Sequence, residues 1–106
     1  MSNGTVEFAH IKLAAGKTEA ELVAASNHFQ HFLDQQPGFL SRQLIRSKDG
    51  SYADLVHWTS HEAAMAVGEK IASSADCQAY FAVMDFDAAN VMEGVSHYDV
   101  LAAYRP

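Results

Sequence analysis

Residues 32–64, FLDQQPGFLSRQLIRSKDGSYADLVHWTSHEAA, constrain the fold more than any other stretch of this chain. They read as a helix end, a Pro37-Gly38 stop, a strand, an Asp49-Gly50 turn, a second strand closing on Trp58, and a new helix start. Proline disfavours helical geometry in the residue before it, and glycine accepts the positive φ that ends a helix. Residues 39–46 and 52–59 have strand length, and Lys48-Asp49-Gly50 between them fits a tight hairpin. A helix, two hairpin-linked strands and a second helix in that order form the middle of a βαββαβ unit.

The flanks complete the unit. Residues 6–13 form the first strand, with Val6, Phe8, His10 and Lys12 on one face and Glu7, Ala9, Ile11 and Leu13 on the other. Thr18 and Glu21 have the spacing of a capping box, and Leu22, Ala25, Ser26, Phe29, Phe32 and Leu33 recur as the buried stripe of the helix that follows. Thr59 or Ser60 caps a helix over residues 61–71. Ser73 with Asp76 suggests another capping box, opening a helix that buries Cys77, Tyr80, Phe81 and Met84. Residues 85–94 return the chain with one helical turn, and residues 95–104 close as the last strand.

The expected fold is therefore α+β and ferredoxin-like, one domain over residues 1–106, with a four-stranded antiparallel sheet in the order 4-1-3-2. Helices cover one face. The other leaves Val6, Phe8 and Leu55 facing water, so a homodimer through that face is expected.

A formal net charge of −6 argues against nucleic acid or an anionic membrane as partner. No apolar run approaches the roughly 20 residues that span a bilayer. The opening MSNGTVEF lacks the charged and apolar regions of a signal peptide, which points to a cytoplasmic protein. The lone Cys77 excludes an internal disulfide and a cysteine-based zinc site.

QPGF at 36–39, the Asp49-Gly50 hairpin and VHWTSHEAA at 56–64 resemble the antibiotic biosynthesis monooxygenase-like family of the dimeric α/β barrel superfamily. The resemblance implies two sheets packed face to face in a dimer and a small-molecule pocket between helices and sheet in each subunit. It implies a cofactor-independent monooxygenase acting on a small aromatic or polyketide-like molecule, with no cofactor or metal expected. Two departures count against the family's haem-degrading members. Val67 and Gly68 stand where many relatives have a histidine, and Ala9 where the haem degraders have an asparagine. A non-catalytic ligand-binding or interaction module and a small-ring isomerase are the alternatives.

Trp58 matches the family tryptophan, which would line the pocket and stack on a planar substrate, or else plug the core with its N–H on a backbone carbonyl. His10 and His97 would meet if the first and last strands pair in suitable register, with Asp99 on the face of His97, as a proton-shuttling group or a seam of the dimer. Glu7 and Asp54 are candidate general bases, since a carboxylate buried in a pocket has its pKa raised. The plainer role for them is to reach solvent or pair with Arg42 or Arg46. Tyr52, His28, Tyr80 and Phe81 are candidate pocket walls. His28 and His31 have a spacing that can hold a metal on an exposed helix face, but solvated histidines are the simpler reading. His61 falls in the first turn of its helix, with nothing in sequence to make it catalytic.

Overall fold

The computed structural model describes residues 4–85 and 94–106. Its elements run β1 (Thr5–Ile11), α1 (Glu19–Leu33), β2 (Phe39–Arg46), β3 (Tyr52–Trp58), α2 (His61–Gly68), a 3-10 turn at Ile71–Ser73, α3 (Ala75–Phe81) and β4 (Val95–Asp99). The strands form one sheet in the order β2-β3-β1-β4, with all three pairings antiparallel. This is the expected 4-1-3-2 order, so the ferredoxin-like α+β fold is the one found.

Local chemistry explains the helix boundaries. The Thr18 hydroxyl accepts from the Glu21 N–H at 3.2 Å, while the Glu21 carboxylate accepts from the Thr18 N–H, which satisfies two otherwise orphaned donors of α1. Ser60 caps α2 by accepting from the Ala63 N–H. At Gly38 the chain turns with φ +84°, and the Gly38 carbonyl accepts from the Thr59 N–H at 2.8 Å. A Cβ at that position would stand 2.6 Å from Ala63 Cβ and 2.7 Å from Thr59 Oγ1, so the site requires glycine twice over.

Alternation along the strands then assigns the two faces of the sheet. Thr5, Glu7, Ala9 and Ile11 of β1, Arg42 and Leu44 of β2, Asp54, Val56 and Trp58 of β3, and His97 and Asp99 of β4 share the helix-covered face. The core there joins Leu22, Phe29 and Leu33 of α1 to Val56, Trp58, Cys77 and Tyr80, with Phe29 stacked on Tyr80 at 4.9 Å between centroids. Val6, Phe8, His10, Leu55 and Tyr98 occupy the open face. Among the described residues, no helix is long and apolar enough to cross a membrane.

Four details differ from the sequence reading. β1 ends at Ile11, with Leu13 bridged separately to Met84. α2 stops at Gly68, a poor helix former, and the chain tightens into the 3-10 turn before α3. The cap of α3 is Ser74, which accepts from the Cys77 N–H at 3.2 Å; Ser73 instead donates back to the Lys70 carbonyl at 3.1 Å. β4 ends at Asp99, short of residue 104. The helical turn expected within residues 85–94 lies largely outside the described residues.

Candidate functional site

Two polar groups stand on the helix-covered face of the sheet. The first is built on the start of β1. Glu7 lies opposite Val56 of β3 and opposite His97 of β4, and the buried Trp58 indole donates to its carboxylate at 3.0 Å. Burial holds the Glu7 pKa above the usual carboxylate value, against the opposing pull of the Trp58 hydrogen bond and of His97. The His97 ring packs edge to face against His61, the first residue of α2, with centroids 5.4 Å apart. Thr5, next to Glu7 on this face, donates to Asp99 at 3.5 Å. A half-buried carboxylate with a raised pKa, held by one donor and flanked by an imidazole, can take a proton from a weakly acidic substrate and return it.

The second group is a closed network. Arg42 donates through Nη1 to Asp54 at 2.9 Å, through Nη2 to the Ser26 carbonyl at 2.9 Å, and through Nε to Gln30 at 3.0 Å. Tyr80 donates to the other Asp54 oxygen at 2.7 Å, and the guanidinium lies over the Phe29 ring at 5.1 Å. Among the described residues, no buried side-chain nitrogen or oxygen lacks a partner. Burial raises the Asp54 pKa, with Arg42 and Tyr80 opposing it, and burial raises the Tyr80 phenol as well. Both Asp54 oxygens are engaged in tying β3 to β2 and α3, and Arg42 carries the tie on to α1, which is the work of a structural ion pair.

The remaining candidates scatter. His10 and His97 do not meet. His10 is level with Ala53 on the open face, with Phe8 at 4.8 Å, whereas His97 is level with Glu7 on the covered face. The period-two alternation of a strand separates them, whatever their distance along it. Trp58 is 1 % exposed and sits edge-on to Phe39 at 5.7 Å, so its ring offers no open face for stacking. Its N–H goes to Glu7 instead of a backbone carbonyl. Tyr52 stands at the far end of β3, about 20 Å from Trp58 at strand rise, and donates to Glu19 at 3.1 Å. His28 is exposed on α1, 3.5 Å from Asp76, with His31 at 2.8 Å from the same carboxylate. Tyr80 and Phe81 are packed with Phe29 in the core. No group of three or more metal-ligating side chains able to hold a metal occurs among the described residues.

His61 is the member of the first group that sequence reasoning missed. Its position after the Ser60 cap was readable, but its neighbour was not, because the β1–β4 register decides where His97 points. Away from the Glu7 group, a cleft of about 420 Å³ between α1 and β2 borders the Arg42 network and is lined by Leu22, Val23, Arg42, Leu44 and Tyr52 among others. Another of about 300 Å³ lies beside Gly38 and α2.

An antiparallel four-stranded sheet with its helices on one face and an apolar opposite face defines a ferredoxin-like α+β protein. No protein-family model matches the sequence, and no curated protein matches it. Solved structures do match over nearly the full length. The monooxygenase from the gene ActVA-Orf6 of Streptomyces coelicolor, in complex with nanaomycin D, aligns at 22 % identity and TM-score 0.69 over 97 % of this chain and 92 % of that one. A variant of SnoaB from Streptomyces nogalater, a cofactor-independent oxygenase, aligns at 19 % identity and TM-score 0.67 over 98 % and 97 %. A variant of MhuD with two manganese protoporphyrin IX bound per active site aligns at 24 % and TM-score 0.68 over 96 % and 99 %. The chain thus shares the fold of the antibiotic biosynthesis monooxygenases that its motifs resemble.

Proposed function

We propose that the protein is a cofactor-independent monooxygenase acting on a small aromatic or polyketide-like molecule, with Glu7 as its general base. The observation that carries this reading is the half-buried Glu7 carboxylate, its pKa raised by burial, held by Trp58 and flanked by His97. The fold shared with SnoaB and the ActVA-Orf6 enzyme supports it.

A suitable substrate carries a CH₂ group acidified by a neighbouring carbonyl. Glu7 takes one C–H proton, and the resulting carbanion gives an electron to dioxygen. The two radicals join as a peroxide, which is reprotonated. Loss of water, with departure of the remaining C–H proton, leaves a ketone. One oxygen atom enters the substrate and the other leaves as water, so the substrate is its own reductant. Trp58 positions Glu7, and the covered face keeps the carboxylate basic by partial desolvation.

The same reading includes a cytoplasmic homodimer joined through the open sheet face, where Val6, Phe8 and Leu55 are half-buried in the single chain and Tyr98 is exposed.

Oxygen uptake with a panel of anthrones and hydroquinones tests the assignment. The wild type should consume one dioxygen per ketone formed, and Glu7→Gln should lower the rate by about 10²-fold or more, the usual contribution of a general base. Equal rates would remove Glu7 from the mechanism. Ligand binding with no uptake would favour the non-catalytic binding module, and isomerised product with no uptake the isomerase.

A further inference from the structure

We propose that the open sheet face is a proton-sensitive interface, in which His10 and His57 stand in the seam between two copies of this chain and acidification parts them. The proposal rests on the homodimer reading above and adds what controls the pairing. The Asp, Glu, Lys and Arg residues of the strands are all turned to the helices: Glu7, Arg42, Arg46, Asp54 and Asp99 lie on the covered face. The open face of the four strands carries no residue of these four types. In a sheet with one wet side, that side is ordinarily the polar one, so the distribution here is inverted. Charge also identifies the occupant. The chain has 13 acidic residues against 7 basic, so two copies repel and approach closely only through a surface without carboxylates. In a two-fold contact the same patch serves both sides, whereas a partner of opposite charge would be met by complementary charges. The open face satisfies the first condition and lacks the second.

Histidine is the side chain whose charge changes between pH 5 and 8, and this face holds two. His57 lies opposite Val6 of β1 and Ser41 of β2. His10 lies opposite Ala53, its ring edge-on to Phe8 at 4.8 Å. On β4 the face offers Ser96 and Tyr98, and at its margin Lys12 is paired with Asp85 at 3.5 Å. None of the strand residues around either histidine on this face is a carboxylate that could hold a positive charge in a seam. A neutral imidazole is tolerated between two apolar faces. An imidazolium there loses its water and meets the like charges of the other copy. Separate chains therefore bind more protons than the pair, and mass action favours them as pH falls. The sign is opposite to that of the chain as a whole, whose negative charge shrinks on acidification and whose self-repulsion eases.

Sedimentation velocity over a concentration series, at constant ionic strength, reads the dimer dissociation constant at about pH 8 and about pH 6. In the wild type the constant should rise by about tenfold or more on acidification, and His10→Gln with His57→Gln should abolish or reverse the rise. Calorimetric dilution of the wild type at about pH 6.5, in two buffers of different ionisation heat, should show proton uptake on dissociation. A constant that stays flat or falls with acid, an equal rise in the glutamine variant, or dilution without proton uptake would overturn the switch while leaving the sheet dimer standing. A wild type that stays monomeric at micromolar concentration at the higher pH would remove the dimer itself, and the switch with it.

Discussion

The Trp58 indole N–H reaches 3.0 Å across from β3 to the Glu7 carboxylate on β1. This contact holds Glu7 ionisable in a place where burial opposes the charge. The folded protein keeps the Glu7 proton to a higher pH than the unfolded chain does. Above the unfolded value near 4.5, and up to the raised folded value, the folded state therefore binds more protons and stability falls as pH rises. Glu7→Gln retains an acceptor for Trp58 but cannot ionise. Its urea midpoint should gain on the wild type as pH rises through that window. A midpoint difference independent of pH would rule this out. In Trp58→Phe the lowering contribution of the hydrogen bond is lost, so ¹³C titration should place the Glu7 carboxyl higher still.

Asp54 should matter for folding more than for chemistry. Asp54→Ala leaves the Arg42 guanidinium buried without its counter-ion and should cost about 3–5 kcal/mol in denaturant unfolding. Replacing the pair together, Arg42→Met with Asp54→Leu, should cost less than the single change. If Asp54→Ala is neutral in stability but abolishes turnover, the structural assignment of this pair is wrong.

His31 and Asp76 clasp α1 to α3 on the exposed side, 2.8 Å apart. The Asp76 carboxylate raises His31 above its ordinary 6.5, and His31 lowers Asp76 below 3.8. The histidine's contribution is complete below its unfolded value and fades as pH rises through the folded one. That of the aspartate is complete above 3.8 and fades as pH falls. The clasp is therefore at full strength between about 3.8 and 6.5. In Asp76→Asn the His31 titration followed by NMR should drop toward the ordinary value, and an unmoved midpoint would contradict the contact.

Gly38→Ala meets both a positive φ and an overlap with Ala63 and Thr59. Thermal or urea unfolding should show a loss of more than about 2 kcal/mol, since strain at φ and steric displacement add. Gly50→Ala, at a similar φ of +89° but in open space, serves as the control and should cost less.

The order of elements was legible because each boundary carries its own local signal: the Thr18–Glu21 box, the Pro37-Gly38 stop and the Asp49-Gly50 turn, whose Asp49 carboxyl is lowered to about 2 by Ser47 and Ser51. The site was legible only in part. Residue parity put Glu7 with Ala9 and Ile11 on one strand and Asp54 with Trp58 on another, but which faces coincide, and the roles that follow, depend on register and on side-chain reach between elements. His97 meets Glu7 because of one strand register, and Asp54 is neutralised because Arg42 enters from β2. Neither pairing leaves a mark within a single window of sequence.

The two halves of the resemblance motif, PGF and WTSHEAA, are separated along the chain and touch at Gly38. What looks like a family emblem is a clearance requirement: the backbone at 38 must pass within van der Waals range of positions 59 and 63. Any sequence with this joint that abandons the glycine must also shave position 63 or shift the start of α2. Because α2 begins with His61 against His97, such a shift would move one wall of the Glu7 group. The turn that ends α1 is thus a mechanical stop for the candidate site.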